Sequence, residues 1–399
     1  MRKVAYYFLS LTLAAAIFGM VSCKKDNGTD TPPASELTTG TLKGKVFAQN
    51  GTTPIPMATV FVDVNGEIYM TFTNINGDFS LRAPSGTHTM YVESGRGKIF
   101  RSMYTVDVPK NSTYTFPNGN LKLQQAADLA YIAGAFDNIQ SIIINDLGYS
   151  CDEITVADLS NMNTLNNYAG IFLNCGKYGS MDAAKYANLL TYVQNGGSIY
   201  ASDFAVEYLT GDGYNKGQQH IANPHPKTTC TDELGGFISG TDLCTDKIGP
   251  VTTLYDAQIV PADVQAYMGL SSIDVEYDLG GWEQILELNI PMWEVMIEDT
   301  GYYGPLAVRM HFDAPSRSME EIMEQDWVTI CHIPPGNPAN AHTITISVNA
   351  LPAHLAHGDY IGSCQGNGGT IYFTTFHNHA QGTISPDMKK MLEYFILNL

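Results

Sequence analysis

The hydrophobic pattern changes its period along the chain. Between residues 40 and 123 it is short and alternating. Val60, Val62 and Val64 alternate with Phe61 and Asp63, the period of two expected of a half-buried strand. Further strand-like runs lie at 42–48, 68–74, 79–82 and 88–93. Asn65-Gly66, Asn76-Gly77 and Pro84-Ser-Gly86 supply turns that tolerate positive φ. The region predicts an all-β module. From residue 124 onwards strands alternate with helices. Apolar runs at 128–134, 153–159, 168–174 and 198–202 read as strands. Ile139, Ile142 and Ile143 make the stripe of a helix over 138–147. A second helix starts at Ser180 or Asp182, presents Ala183, Tyr186, Leu190 and Val193, and stops at Asn195-Gly196-Gly197. Strands joined through helices pair in parallel, which predicts a three-layer α/β domain around a mostly parallel sheet. Strands at 305–312 and 370–376 read as neighbours in that sheet, parted by an insertion at 327–366. Ser385 caps a last helix with Pro386 at its first position and Met388, Met391, Leu392, Phe395 and Ile396 on one face.

The N-terminus follows different rules. Arg2 and Lys3 precede an apolar run to Met20, a signal peptide over 1–22 that is set aside from the fold. Met20-Val-Ser-Cys23 resembles the lipobox of bacterial lipoproteins, with Met20 where Leu is usual. The resemblance implies that Cys23 is diacylated and becomes the mature N-terminus, so the first partner is a membrane. Residues 23–39 are polar, carry Pro32-Pro33 and have no period, as a tether does. Lys24-Lys-Asp26 resembles the charged signal that sends some lipoproteins to the outer face of the outer membrane. A cell-surface lipoprotein is therefore expected.

Two further resemblances cover most of the remainder. Gly44-x-Val46, Pro56-x-Ala58-x-Val60, Thr71-x-Thr73, Gly77-x-Phe79-x-Leu81 and Pro84-x-Gly86 resemble the carboxypeptidase regulatory-like domain. That family implies a transthyretin-like β-sandwich over 40–123 that acts as a spacer or contacts protein or glycan, without chemistry of its own. Residues 124–399 resemble the class I glutamine amidotransferase-like, flavodoxin-like fold. There a nucleophile sits at a sharp strand-to-helix turn and a histidine follows a late strand. The corresponding stretches are Tyr200-Ala-Ser202-Asp203-Phe204 and His377-Asn378-His379. No cysteine occupies the turn, and Tyr200 and Phe204 stand where a tight elbow needs small residues. Cys175, in Asn174-Cys175-Gly176, lies where the family keeps an oxyanion-loop glycine.

Composition narrows the function classes. The 399 residues are 44% hydrophobic and 15% charged, ample for packed cores, and the formal net charge is −19. Nucleic acid is not an expected partner, since phosphate binding needs clustered Lys and Arg. Apart from Cys23, the chain has six cysteines. Cys230 with Cys244, and Cys331 with Cys364, flank loops, and in an exported chain such spacing suggests disulfide-closed inserts. The second pair encloses His332, His342, His354 and His357, imidazoles suited to Zn²⁺, but the favoured reading is a disulfide-closed structural module with hydrogen-bonded histidines. Asp274, Glu276 and Asp278 line one face of a strand, as a Ca²⁺ site or simply a solvated face. Ser202, Asp203 and His377 are the candidates for acyl transfer; Ser202 and Asp203 would otherwise cap the following helix. The expected function is binding or structural, through glycan, protein or matrix contact, with no resident cofactor. Its alternative is a hydrolase or amidotransferase-like enzyme using Ser202 and His377, or a metal held by the 331–364 module.

Overall fold

The computed structural model describes residues 38–64, 67–95, 99–176, 179–211, 235–290, 292–312, 327–332, 342–347, 350, 354, 360–361, 368–380 and 382–399. Residues 38–399 form one compact unit. The signal peptide, Cys23, the tether as far as residue 37 and the turn at 65–66 lie outside the described residues.

Eight strands come first: β1 (Thr39–Phe47), β2 (Thr59–Val64), β3 (Glu67–Phe72), β4 (Asp78–Pro84), β5 (Gly86–Ser94), β6 (Phe100–Val108), β7 (Thr113–Thr115) and β8 (Leu121–Lys122). They make two four-stranded sheets, β4-β1-β7 with β8 also on β1, and β3-β2-β5-β6. Leu42, Val46 and Leu81 from the first sheet meet Val60, Val62, Met90 and Val92 from the second in one buried cluster. The alternation predicts the strands, and their two sheets stack into a β-sandwich of the kind the resemblance implies. At the 74–78 turn, Asn74 Oδ1 accepts the N–H groups of Asn76 and Asp78. Gly77 there takes φ +80°, and any side chain would strike the Val46 carbonyl.

The remaining strands are β9 (Leu129–Ile132), β10 (Asp152–Ile154), β11 (Gly170–Leu173), β12 (Ser198–Ser202), β13 (Leu243–Gly249), β14 (Thr252–Ile259), β15 (Ser272–Tyr277), β16 (Trp282–Leu288), β17 (Glu294–Asp299), β18 (Gly304–His311), β19 (Trp327–His332), β20 (His342–Ser347), β21 (Tyr360–Ile361) and β22 (Thr370–Thr374). Nine of them form one sheet in the order β10-β9-β11-β12-β22-β18-β17-β14-β15. The strands from β10 to β22 pair in parallel. From β22 to β15 every pairing is antiparallel. The expected mostly parallel sheet is therefore corrected to a mixed one, and the described residues are β-rich, with five sheets among them. For β17 and β18 the cause is local: residues 300–303 join them, too few for the crossover that parallel pairing requires.

Helices lie on both faces of this sheet. On one face α1 (Ala183–Gln194) packs Leu189, Tyr192 and Val193 against Ile132, Ile171, Ile199 and Phe373. Its buried stripe is rotated from the predicted one: Ala183 is exposed, and Tyr186 and Leu190 are half-buried. Tyr192 explains the rotation, since its hydroxyl reaches inward to donate to the Tyr168 carbonyl, 3.1 Å away. Asp182 caps this helix by accepting from Ala184 and Lys185 N–H. A small helix, α2 (Ala262–Met268), follows β14. On the other face α3 (Pro386–Leu397) buries the predicted Met388, Met391, Leu392, Phe395 and Ile396. Ser385 accepts the Met388 N–H at its start. The 139–146 segment begins as an α-turn and continues as a π-turn, with Ile139, Ile142 and Ile143 buried.

The sandwich and the large sheet share one core. Phe100 of β6 packs on Tyr149 with ring centroids 4.6 Å apart, and Tyr149 donates its hydroxyl to the Leu123 carbonyl. Asn50 and Thr53 both donate to the Asp146 carbonyl. Packing is continuous across residues 123–124. Two smaller sheets complete the described residues: β13 pairs with β16, and β20-β19-β21 forms in the insertion.

Cys244 is disulfide-bonded, whereas Cys151 and Cys175 are free thiols. Cys230, Cys364 and the side chain of Cys331 lie outside the described residues, so neither expected pairing is described as a whole.

Candidate functional site

Parallel strands all end at the same edge, so the loops that follow them converge there. The loops after β9, β11, β12 and β22 meet at this edge. Their closeness is a backbone property. A Cβ on Gly134 would lie 2.0 Å from the Cys175 carbonyl oxygen. Ala135 and Phe136 donate to the Gly176 and Cys175 carbonyls. The segment after β22 docks on the same loop: Asn138 N–H donates to the Asn378 carbonyl, and Ala380 N–H to the Phe136 carbonyl.

Ser202 lies at the bottom of this meeting point and is fully buried. Its hydroxyl donates to Asp137 Oδ2 at 2.5 Å and accepts the Cys175 N–H at 3.1 Å. Both hydrogen-bonding roles of the hydroxyl are committed to joining three loops. It makes no capping bond to the helical turn after β12. Asp137 also accepts from Asn138 N–H. Burial pushes the Asp137 carboxyl up to about 7, against the lowering pull of the Ser202 hydroxyl and the Asn138 and Asn378 N–H groups.

The apex of the strand-to-helix turn is Asp203, not Ser202. Its φ is +48°, a left-handed conformation that costs energy for any residue with a side chain. Its carboxylate accepts the Glu283 N–H on Oδ1 at 2.7 Å and the Cys175 thiol on Oδ2 at 3.3 Å. Burial raises the Asp203 pKa to about 7, while Glu283, Cys175 and the Lys247 charge hold it down. His377 Nε2 lies 3.7 Å from Asp203 Oδ2. Burial, then the neighbouring His379, pushes its imidazole down to about 3, so this contact joins a neutral ring to a carboxyl group and is not an ion pair at neutral pH. Burial also pushes the Cys175 thiol well up.

A pocket of about 250 Å³ opens above these residues. Tyr277 and Trp282 form one wall, stacked with centroids 4.0 Å apart. Phe136, Phe204 and Phe376 add further apolar surface, and Asp203, Lys247, Asp278, His377 and His379 add polar groups. Lys247 Nζ lies over the Phe204 ring at 3.7 Å from its centroid. His379 Nδ1 is 3.4 Å from the exposed Asp278 carboxylate at the mouth. His377 Nδ1 is buried and has no hydrogen-bond partner among the described residues.

The other candidates fall elsewhere. In the insertion, His332 and His342 are paired in register across β19 and β20, and the His332 and His354 rings meet edge to face at 5.6 Å. The side chain of His342, and all of His357, lie outside the described residues. Asp274 on β15 accepts the Asp256 N–H, and Asp278, just beyond β15, faces His379, so two of the three predicted strand-face carboxylates serve different partners. Asp137, Lys247, Tyr277 and Trp282 were not singled out by sequence. Nothing periodic marks Asp137, and the other three come from strands distant in sequence.

No protein-family model matches the chain, and no curated protein matches it. Among solved structures it is similar in part to the 5-hydroxyisourate hydrolase of Klebsiella pneumoniae, with a TM-score of 0.17 and 17% identity, covering 22% of this chain and 99% of that one. It is also similar to the TIE protein of Bacillus anthracis, with a TM-score of 0.18 and 16% identity, covering 25% of this chain and 19% of that one. At these scores neither likeness bears on fold or activity, and the sandwich stands on its own strand pairing.

Proposed function

We propose that this chain is an exported lipoprotein, anchored through Cys23 at the outer membrane and facing outward, whose amidotransferase-like α/β sheet serves as a binding platform rather than an acyl-transfer enzyme. One observation carries this reading: the Ser202 hydroxyl is committed to Asp137 and Cys175, leaving no nucleophile at the elbow. The pocket beside it supplies what binding needs. A flat aromatic stack, a lysine, a carboxylate at the mouth and two histidines suit a small polyhydroxylated ligand, such as the terminal sugar of a glycan. At about 250 Å³ the pocket is smaller than the roughly 300–1,000 Å³ of drug-sized sites. A buried polar atom left unpaired costs about 1–3 kcal/mol, so a ligand hydroxyl reaching His377 Nδ1 would gain affinity. The sandwich is the spacer or accessory contact in this arrangement, and disulfides at Cys230–Cys244 and Cys331–Cys364 would stiffen the inserts outside the cell. The histidines of the insertion are structural in this reading, and neither Zn²⁺ there nor Ca²⁺ on β15 is required.

The test is a glycan array and a thermal-shift screen of monosaccharides on residues 38–399, the compact unit. Binding that weakens at least tenfold in Asp278→Ala supports the pocket. Saturable turnover of an ester or amide that disappears in Ser202→Ala would overturn the reading.

A further inference from the structure

Three buried side chains at the pocket floor converge without any role assigned to their convergence. Cys175 Sγ, an Asp203 carboxylate oxygen and a His377 ring nitrogen all lie within 4.8 Å of one another. Two of the separations are 3.3 Å, sulfur to oxygen, and 3.7 Å, nitrogen to oxygen. Tetrahedral Zn²⁺ with ordinary bond lengths places sulfur and oxygen ligands about 3.5 Å apart, and nitrogen and oxygen ligands about 3.3 Å apart. The geometry points to a divalent transition-metal site, of the Zn²⁺ class, formed by Cys175, Asp203 and His377, with its fourth position toward the pocket.

Each ligand comes from the end of a different strand: Cys175 just beyond β11, Asp203 just beyond β12, and His377 just beyond β22. They therefore sit on the rigid parallel half of the sheet. The left-handed Asp203 backbone turns that carboxylate toward the other two groups. A thiolate, an imidazole and a carboxylate form a mixed donor set that suits Zn²⁺ better than Ca²⁺ or Mg²⁺, which prefer oxygen. Charge also balances. Binding releases the Cys175 proton, and one thiolate plus one carboxylate neutralise the cation, which a buried site requires. Asp203 and His377 line the pocket while Cys175 lies fully buried. Three protein ligands with one open side are the pattern of sites that keep a position for water or ligand. The Lys247 ammonium nearby has Glu283 as its main charge partner.

This site is distinct from the histidines of the insertion and does not depend on what fills the pocket. The test is Co²⁺ titration of the 38–399 unit followed by absorption spectroscopy. One Co²⁺ per chain is expected, with a near-ultraviolet thiolate band and visible bands of tetrahedral intensity, all displaced by Zn²⁺. Cys175→Ser should abolish the thiolate band, and His377→Gln should weaken binding at least tenfold. His332→Ala with His354→Ala should leave both unchanged. X-ray absorption of the Zn²⁺-loaded unsubstituted protein, which requires no variant to fold, should show one sulfur among nitrogen and oxygen neighbours. No thiolate band, a metal with no sulfur or two, or loss of binding only in the His332/His354 variant would overturn the proposal. A sugar that binds the pocket while Co²⁺ titration gives no thiolate band would sink this site and leave the pocket reading intact.

Discussion

The two halves of the nine-stranded sheet do different work. In the parallel half, β10-β9-β11-β12-β22, every strand ends at one edge, and the loops there press together with backbone contacts that admit no side chain at Gly134. That half supplies Asp137, Cys175, Ser202, Asp203 and His377. In the antiparallel half, β18-β17-β14-β15, successive strands end at opposite edges. It brings only the end of β15 to the site, as Tyr277 and Asp278, beside Trp282 and Lys247 of the small β13–β16 sheet. Parallel topology concentrates interdependent groups, so chemistry gathers there. Antiparallel topology lays down a wall, whose residues can change one at a time.

That contrast fails if loop-end substitutions in the parallel half prove mild. Gly134→Ala places a Cβ 2.0 Å from a backbone oxygen that cannot move independently. It should destabilise the protein by about 3–5 kcal/mol in denaturant unfolding. A loss below about 1 kcal/mol would mean that the loops after β9 and β11 are not pressed together.

The next effect is a pH dependence. Asp137 has a folded pKa raised to about 7 from an ordinary 3.8. The folded state thus holds this proton more tightly than the unfolded state. Its contribution is fully present below about pH 4 and is lost as pH rises to about 7, with a slope of up to about 1.4 kcal/mol per pH unit. Asp203 and Glu393, also raised to about 7, act in the same direction. Asp137→Asn should flatten the curve relative to the unsubstituted protein, as measured by urea unfolding at a series of pH values. Parallel curves for the two proteins would refute the assignment.

Changes in the wall should be smaller. Tyr277→Phe removes a hydroxyl that meets Thr375 Oγ1 at 2.6 Å, but Thr375 keeps its bond to the Leu306 carbonyl. The expected cost is about 1 kcal/mol. Asp278→Asn, at the exposed mouth, should change stability by less than about 0.5 kcal/mol while weakening ligand binding. A large loss of stability in either variant would show that the antiparallel half is as interdependent as the parallel one.

The sequence makes some of this legible and hides the rest for physical reasons. Period-2 alternation at 58–64 reads directly as β2, because one face of that strand is buried and the other is not. Met388, Met391, Leu392, Phe395 and Ile396 read directly as the buried face of α3, since a single surface covers them. The face of α1 is read one step off, because Tyr192 turns inward to satisfy a carbonyl that no local pattern announces. The antiparallel half is hidden because strand direction depends on connection geometry rather than on apolar period. At the site, the strand–turn–helix pattern locates the elbow to within one residue. It cannot show that Asp203, rather than Ser202, takes the positive φ, or that Asp137, more than sixty residues earlier, captures the serine hydroxyl.

The account turns on Ser202 being a structural tie and not a nucleophile. Incubating the 38–399 unit with a fluorophosphonate and measuring intact mass tests this directly. The account predicts no adduct on the folded protein. A stoichiometric adduct that maps to Ser202 and vanishes in His377→Ala would contradict it.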